Sequence, residues 1–257
     1  MEIKLFTSQN NTSGGGVGFR FVGNVEITKP KPIIFGTTVS PKQTVEFNIN
    51  DEIISATSNN ESSFEILDDK LPKNGITSFQ VTDNYGYKQN IKTLFFSNFN
   101  TSKITRMSQM FCDCRNLTEL DITCFDTSKV VGMWEMFQGC NRLASLSLSN
   151  FNTSQVTDMS QMFENCYHLS SLDLSNFNTS KVNSMDRMFN QCSRLETLDL
   201  TNFVVNSTTD MMFNNCQSLQ TIKINSEGAA DELIARIKDD LGGTATWDST
   251  TKIITIG

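Results

Sequence analysis

The chain has 257 residues, with 28 acidic against 21 basic side chains and a net charge of −7. A nucleic-acid partner needs a basic face whose contacts release phosphate counterions, so this balance argues against that class. No apolar run approaches the ~20 residues that cross a bilayer, which argues against membrane insertion.

The N-terminus reads MEIKLFTSQNNTSGGG. It has neither the apolar stretch nor the small-residue cleavage site of a secretory leader. The expectation is display by another route, with prior removal of a leader as the alternative. Residues 1–28 read as a flexible arm with possible edge strands at Phe19/Phe21 and Val25/Ile27. Its SQNNTSGGGVG segment lacks the Lys-Ser/Thr of a phosphate loop, and its glycines supply freedom rather than chemistry. Residues 29–90 read as a small β domain or collar. KPKPIIF is stiff and extended, Val45/Phe47/Ile49 alternate as in a strand, and Ile76, Phe79 and Val81 fit an entry strand.

From residue 91 to 225 the chain repeats itself. NFNTSQVTDMSQMFENCYHLSSLDLS begins at Asn150, and NFNTSKVNSMDRMFNQCSRLETLDLT begins 26 residues later at Asn176. Phe99, Phe125, Phe151, Phe177 and Phe203 keep that period, as do Met110, Met136, Met162 and Met188. Cys114, Cys140, Cys166 and Cys192 follow it too, and a two-residue deletion brings Cys216 forward. No unit can bury its own apolar stripe, so the units must stack.

Each unit has two halves. Leu169, Leu172 and Leu174 end in an alternation typical of a strand with one buried face. Met159, Met162, Phe163 and Cys166 lie at the spacing of one stripe of a short helix, with Thr157 or Asp158 and Gln161 as a start. Helices need more room than strands, so the stack should bend with its parallel sheet on the concave side. The expected fold is α/β: a leucine-rich-repeat solenoid with short helices, an N-terminal β region and a C-terminal cap. In it, Leu120, Leu146, Leu172, Leu198 and Ile222 form one column on adjacent strands. The cap covers residues 226–257: EGAADELIARIKDDLGG reads as a helix stopped by glycines, and TATWD with IITIG as a β-hairpin.

The words LDLSNFNTSKV followed by M..MF..C..L closely resemble the BspA-like leucine-rich repeats, of the DUF285 type found in bacterial surface proteins. The resemblance runs from about Leu94 to Asn225. It implies a non-catalytic surface or adhesion protein that binds other macromolecules. The missing lipobox and cell-wall anchor point to another carrier, a bacteriophage particle.

Five cysteines occupy one buried column and read as free thiols, whereas Cys112, Cys114 and Cys124 leave a disulfide open. No metal ligand set or cofactor is expected. His168 shares its column with Arg142 and Arg194, so it reads as part of a solvated edge, with a basic binding stripe as the alternative. The outward strand positions are small, hydroxyl-rich and mildly acidic. Glu119, Asp121, Ser147, Asp173, Asp199 and Lys223 are the candidate ligand-binding residues. They suit a host-surface protein or glycan, although outward positions of any stack must be polar. The reading is a non-enzymatic binding protein on a virion or cell surface, attached to its carrier through the N-terminal arm and able to form homo-oligomers. The alternative is an assembly protein whose repeats are a spacer.

Overall fold

A computed structural model describes residues 31–82, 87–205 and 207–257. The arm and its possible edge strands lie outside these residues. The architecture is mixed α/β, mostly strands, with one α-helix and three open sheets among the described residues.

The first region contributes β1 (Pro32–Thr38), β2 (Thr44–Ile49), β3 (Glu52–Thr57), β4 (Ser63–Leu67), β5 (Phe79–Val81) and β6 (Ile91–Phe96). The KPKPIIF segment thus opens a strand, and Val45, Phe47 and Ile49 alternate inward along β2 as expected. β2 pairs with β3 and β5, both antiparallel. β1 lies antiparallel between β4 and β6. This region also starts the repeat stack. β6 pairs in parallel with β7 (Glu119–Asp121), placing Leu94 opposite Leu120. The Val81 amide donates to the Met110 carbonyl at 3.0 Å, so β5 closes the other side of the first unit.

The repeats continue as β8 (Ser171–Asp173), β9 (Thr197–Asp199) and β10 (Thr221–Lys223), parallel and in register, with Leu172, Leu198 and Ile222 side by side. Leu146 falls in the same order, but its segment forms no strand and its side chain is only partly buried. The apolar column therefore divides between two sheets, one ending at β7 and one starting at β8.

Among the described residues, the short helices expected in each unit are absent. Residues Met133, Glu135, Phe137 and Gly139 donate their amides to Asp158, Ser160, Met162 and Glu164 of the next unit, at 2.8–3.0 Å. The alternate amides of Met136, Gln138 and Cys140 fold back on Met133, Glu135 and Phe137. An α-helix would direct these donors four residues back within its own unit. Here two successive tight turns, with Glu135 and Gly139 at positive φ, send half of them across the stack. The equivalent positions in the other units also have positive φ, from Gln109 and Asp113 to Met211 and Asn215. The turns still present Met159, Met162, Phe163 and Cys166 inward, which is why their spacing imitates a helix. Thr157 and Asp158 cap no helix. The Thr157 hydroxyl donates to Val131 O, and Asp158 Oδ1 accepts the Ser160 amide. Without these helices, nothing on the turn side demands more room than the strands and forces the sheet to be concave.

One apolar core runs from Ile33 to Ile254. Phe111, Phe137, Phe163, Phe189 and Phe213 stack along it at 5.6–5.9 Å with planes within 8° of parallel. At the far end, α1 (Glu227–Leu241) starts on the Ser226 hydroxyl, and Gly242 ends it in the left-handed conformation that glycine adopts without steric cost. The hairpin of β11 (Ala245–Asp248) and β12 (Ile253–Ile256) adds β12 antiparallel to β10. On the other side Asp240 Oδ2 accepts the Phe213 amide at 2.8 Å, the bond a further unit would make.

Candidate recognition faces

The strand side carries the predicted site residues, but in two groups. Asp173, Asp199 and Lys223 lie directly across from one another on β8, β9 and β10. Glu119 and Asp121 lie on β7, in the other sheet. Ser147 sits between the groups, on the segment that forms no strand.

The aspartates have a local role that their spacing did not reveal. Asp121, Asp173 and Asp199 each accept the backbone amide two residues on, from Thr123, Ser175 and Thr201, at 2.9–3.0 Å. These Asx turns anchor the chain as it leaves the strand. The hydrogen bonds from Thr123 hold the Asp121 carboxyl below the usual carboxylate range, and those from Ser175 do the same for Asp173. Asp199 also binds Lys223 at 3.1 Å through its second oxygen. Asp173 forms no ion pair among the described residues, although the charge of Lys223 reaches its carboxylate.

Ser147 stands where those units have aspartate. It makes only a 3.5 Å contact with the Ser149 hydroxyl. Among the described residues, the amides of Ser145, Leu146 and Ser147 bond to neither neighbouring unit. A groove of about 400 Å³ opens there, lined by Ser145, Ser147, Ser149, Asp173, Ser175 and Asn176 with the edges of Leu146 and Leu148. The interruption is confined to this side. Across the molecule the bridges Arg106–Gly132–Asp158–Ser184–Thr208 continue without a gap.

That continuous side holds a feature the sequence reading passed over. Trp134 is 36% exposed, with Val131 exposed beside it. The signal was present: the Trp134 column otherwise reads Ser108, Ser160, Asp186 and Asp210.

His168, Arg142 and Arg194 are exposed at the turn that leads into the strands. His168 Nδ1 contacts the Asn141 carbonyl at 2.7 Å, which directs Nε2 outward.

The cysteine column is structural. None of the seven cysteines forms a disulfide. Cys140, Cys166, Cys192 and Cys216 donate their thiols to the carbonyls of Phe111, Phe137, Phe163 and Phe189 at 3.0–3.3 Å. Burial pushes the Cys166 thiol up to about 12, far from a reactive thiolate. Beside this column Glu164, only 7% exposed, accepts amide hydrogens from Gln138, Gln161 and Asn190. Among the described residues, no helix is long and apolar enough to cross a membrane, and no cluster of His, Cys, Asp or Glu is arranged to hold a metal.

Stacked units with side chains in columns define a repeat protein. Its family is also settled: the profile described as "Mycoplasma protein of unknown function, DUF285" matches residues 77–172 and again 141–226. These matches span more than half of the chain, which therefore belongs to the DUF285 family, in agreement with the resemblance drawn from the repeat words. No curated protein and no solved structure matches the chain.

Proposed function

We propose that the protein is a non-catalytic recognition protein displayed on a virion or bacterial surface. Its stacked units form a leucine-rich-repeat solenoid, and its strand side binds a glycan or a polar protein loop of a host surface. The observation that carries this reading is the groove at Ser145–Ser149. It is the point where a ligand meets hydroxyls, uncommitted backbone amides and the Asp173 carboxylate together. Ordinary sheet edges offer backbone groups without such a side-chain set.

Replacing Asp173 and Asp199 with lysine would break two Asx turns and one ion pair, so a loss of binding would be confounded by a loss of stability. Ser147→Asp is cleaner, because aspartate is the residue of the same column in three other units. It restores the turn, draws the segment into the sheet and closes the groove. On an array of neutral glycans and immobilised host-surface proteins, the wild-type chain should capture a subset, and Ser147→Asp should lose it with an unchanged or higher melting temperature. Full retention of capture by that variant would contradict the reading.

A further inference from the structure

The groove leaves the basic edge unexplained. Arg142, His168 and Arg194 occupy the same position in three successive units and are all exposed. Units are separated by about one strand spacing, so the two guanidiniums lie roughly 10 Å apart, with the imidazole between them. Neither arginine makes a hydrogen bond or ion pair among the described residues. The contact that serves the fold here is made by other members of the column: His168 to Asn141 O, and Asn116 Nδ2 to Gln89 O. The arginines are thus free to bind something else.

The surroundings are suited to an anion. In the three units concerned, the flanking positions hold Gly139, Asn141 and Ala144, then Asn165, Tyr167 and Ser170, then Gln191, Ser193 and Glu196. Glu196 is the sole acid among them. A second basic column, at Lys103, Lys129 and Lys181, is different. Lys103 is tied to Asn74 O and Lys181 to Gln155 Oε1, and Asp126 lies close enough to Lys129 to feel its charge.

We infer that the Arg142–His168–Arg194 edge binds a linear acidic polysaccharide. The planar guanidinium fork matches a carboxylate or sulfate with paired hydrogen bonds. The amide and hydroxyl groups of Asn141, Ser193 and Ser170 stand beside it for sugar hydroxyls. Two cations carried about this far apart match a sparsely charged chain, whereas a nucleic acid would set dense phosphates against a protein of net charge −7. This site is independent of the groove at Ser147.

The test uses immobilised κ-carrageenan and immobilised hyaluronan, which carry one sulfate and one carboxylate per disaccharide respectively. The wild-type chain should be retained at low salt on at least one, and the one that retains it identifies the anion. The variant Arg142→Asn/Arg194→Ser uses residues that already occupy this column in the outer units, Asn116 and Ser218, so it preserves the fold. It should lose retention on the polysaccharide that holds the wild-type chain. Glu196→Gln should raise the salt needed for elution. Lys129→Gln/Lys181→Gln, which removes the same charge elsewhere, should elute as wild type. The inference is overturned if neither polysaccharide retains the wild-type chain, if the arginine pair can be removed without effect, or if the lysine pair has an equal effect. Tighter binding of single-stranded DNA through the same arginines would overturn the assignment to a polysaccharide.

Discussion

The two long sides of the repeat stack are built from the same units, yet one is continuous and the other is broken. On the turn side every unit is bridged to the next, from Arg106 to Thr208. On the strand side the pairing stops at β7 and resumes at β8. The turn side tolerates variation because its bonds are backbone to backbone, so Gly132, Asp158 and Ser184 serve equally in one column. The strand side is only three residues deep, and in β7, β8 and β9 an aspartate anchors the turn that follows the strand. In that column β10 carries Lys223 and is held by β12 as well as β9, whereas the segment of Ser147 forms no strand. The backbone thus keeps one side continuous, and the shallow strand side is interrupted between β7 and β8.

The largest effects should come from the continuous core. Phe163→Ala removes a ring stacked on both Phe137 and Phe189, and should cost ~3–5 kcal/mol in denaturant unfolding. Leu172→Ala should cost ~2–5 kcal/mol, but Leu146→Ala well under that, because Leu146 is already partly exposed at the break. Equal costs for the two leucines would mean that the strand side is not interrupted. Next come the buried polar groups. Asp240→Ala leaves the Phe213 amide unpaired and should cost ~1–3 kcal/mol, whereas Asp240→Asn keeps an acceptor there and should cost less. Asp173→Ala, which removes an anchor at the surface, should cost about 1 kcal/mol, the order of a lost helix cap. Ser147→Asp should restore a similar amount.

The smallest effect is on pH dependence, and the two classes of aspartate have opposite signs. Asp121, Asp126 and Asp173 titrate lower in the fold than in the unfolded chain, chiefly through hydrogen bonds from Thr123, Ser128 and Ser175. Their contribution is present above the unfolded value of roughly 3.9 and is lost as pH falls through the folded values. Asp240 titrates higher in the fold because burial disfavours its charge. Its contribution is complete below the unfolded value and is lost as pH rises through the folded one. Acid unfolding should therefore begin below about pH 4. Asp240→Asn should flatten the rise in stability as pH falls toward that point.

Much of this was legible in residue columns. The period, the buried phenylalanine and cysteine ladders, and the helix and hairpin at the C-terminus follow from spacing alone, since each demands a particular periodicity. The turn side was misread because Met159, Met162, Phe163 and Cys166 face inward whether the backbone is helical or folded into two turns. The positive φ at Gln161 and Asn165 separates those cases, and only Asn165 is of a type that hints at it. The candidate site was half legible. The outward strand residues could be named, but the aspartates looked like ligand contacts when their first task is to hold a turn. Ser147 and Lys223 both depart from the aspartate of their column. The groove beside Ser147 was not legible, because it arises from a break in strand pairing that no residue type announces.

Amide hydrogen exchange tests the central claim most directly, because it reads the two sides of one unit in the same molecule. The amides of Met133, Glu135 and Phe137, bonded across the stack, should exchange slowly, and those of Ser145, Leu146 and Ser147 should exchange near the rate of an open loop. Protection of Ser145–Ser147 equal to that of Ser171–Asp173 would show an unbroken sheet with no groove, and would contradict the account of both the site and its origin.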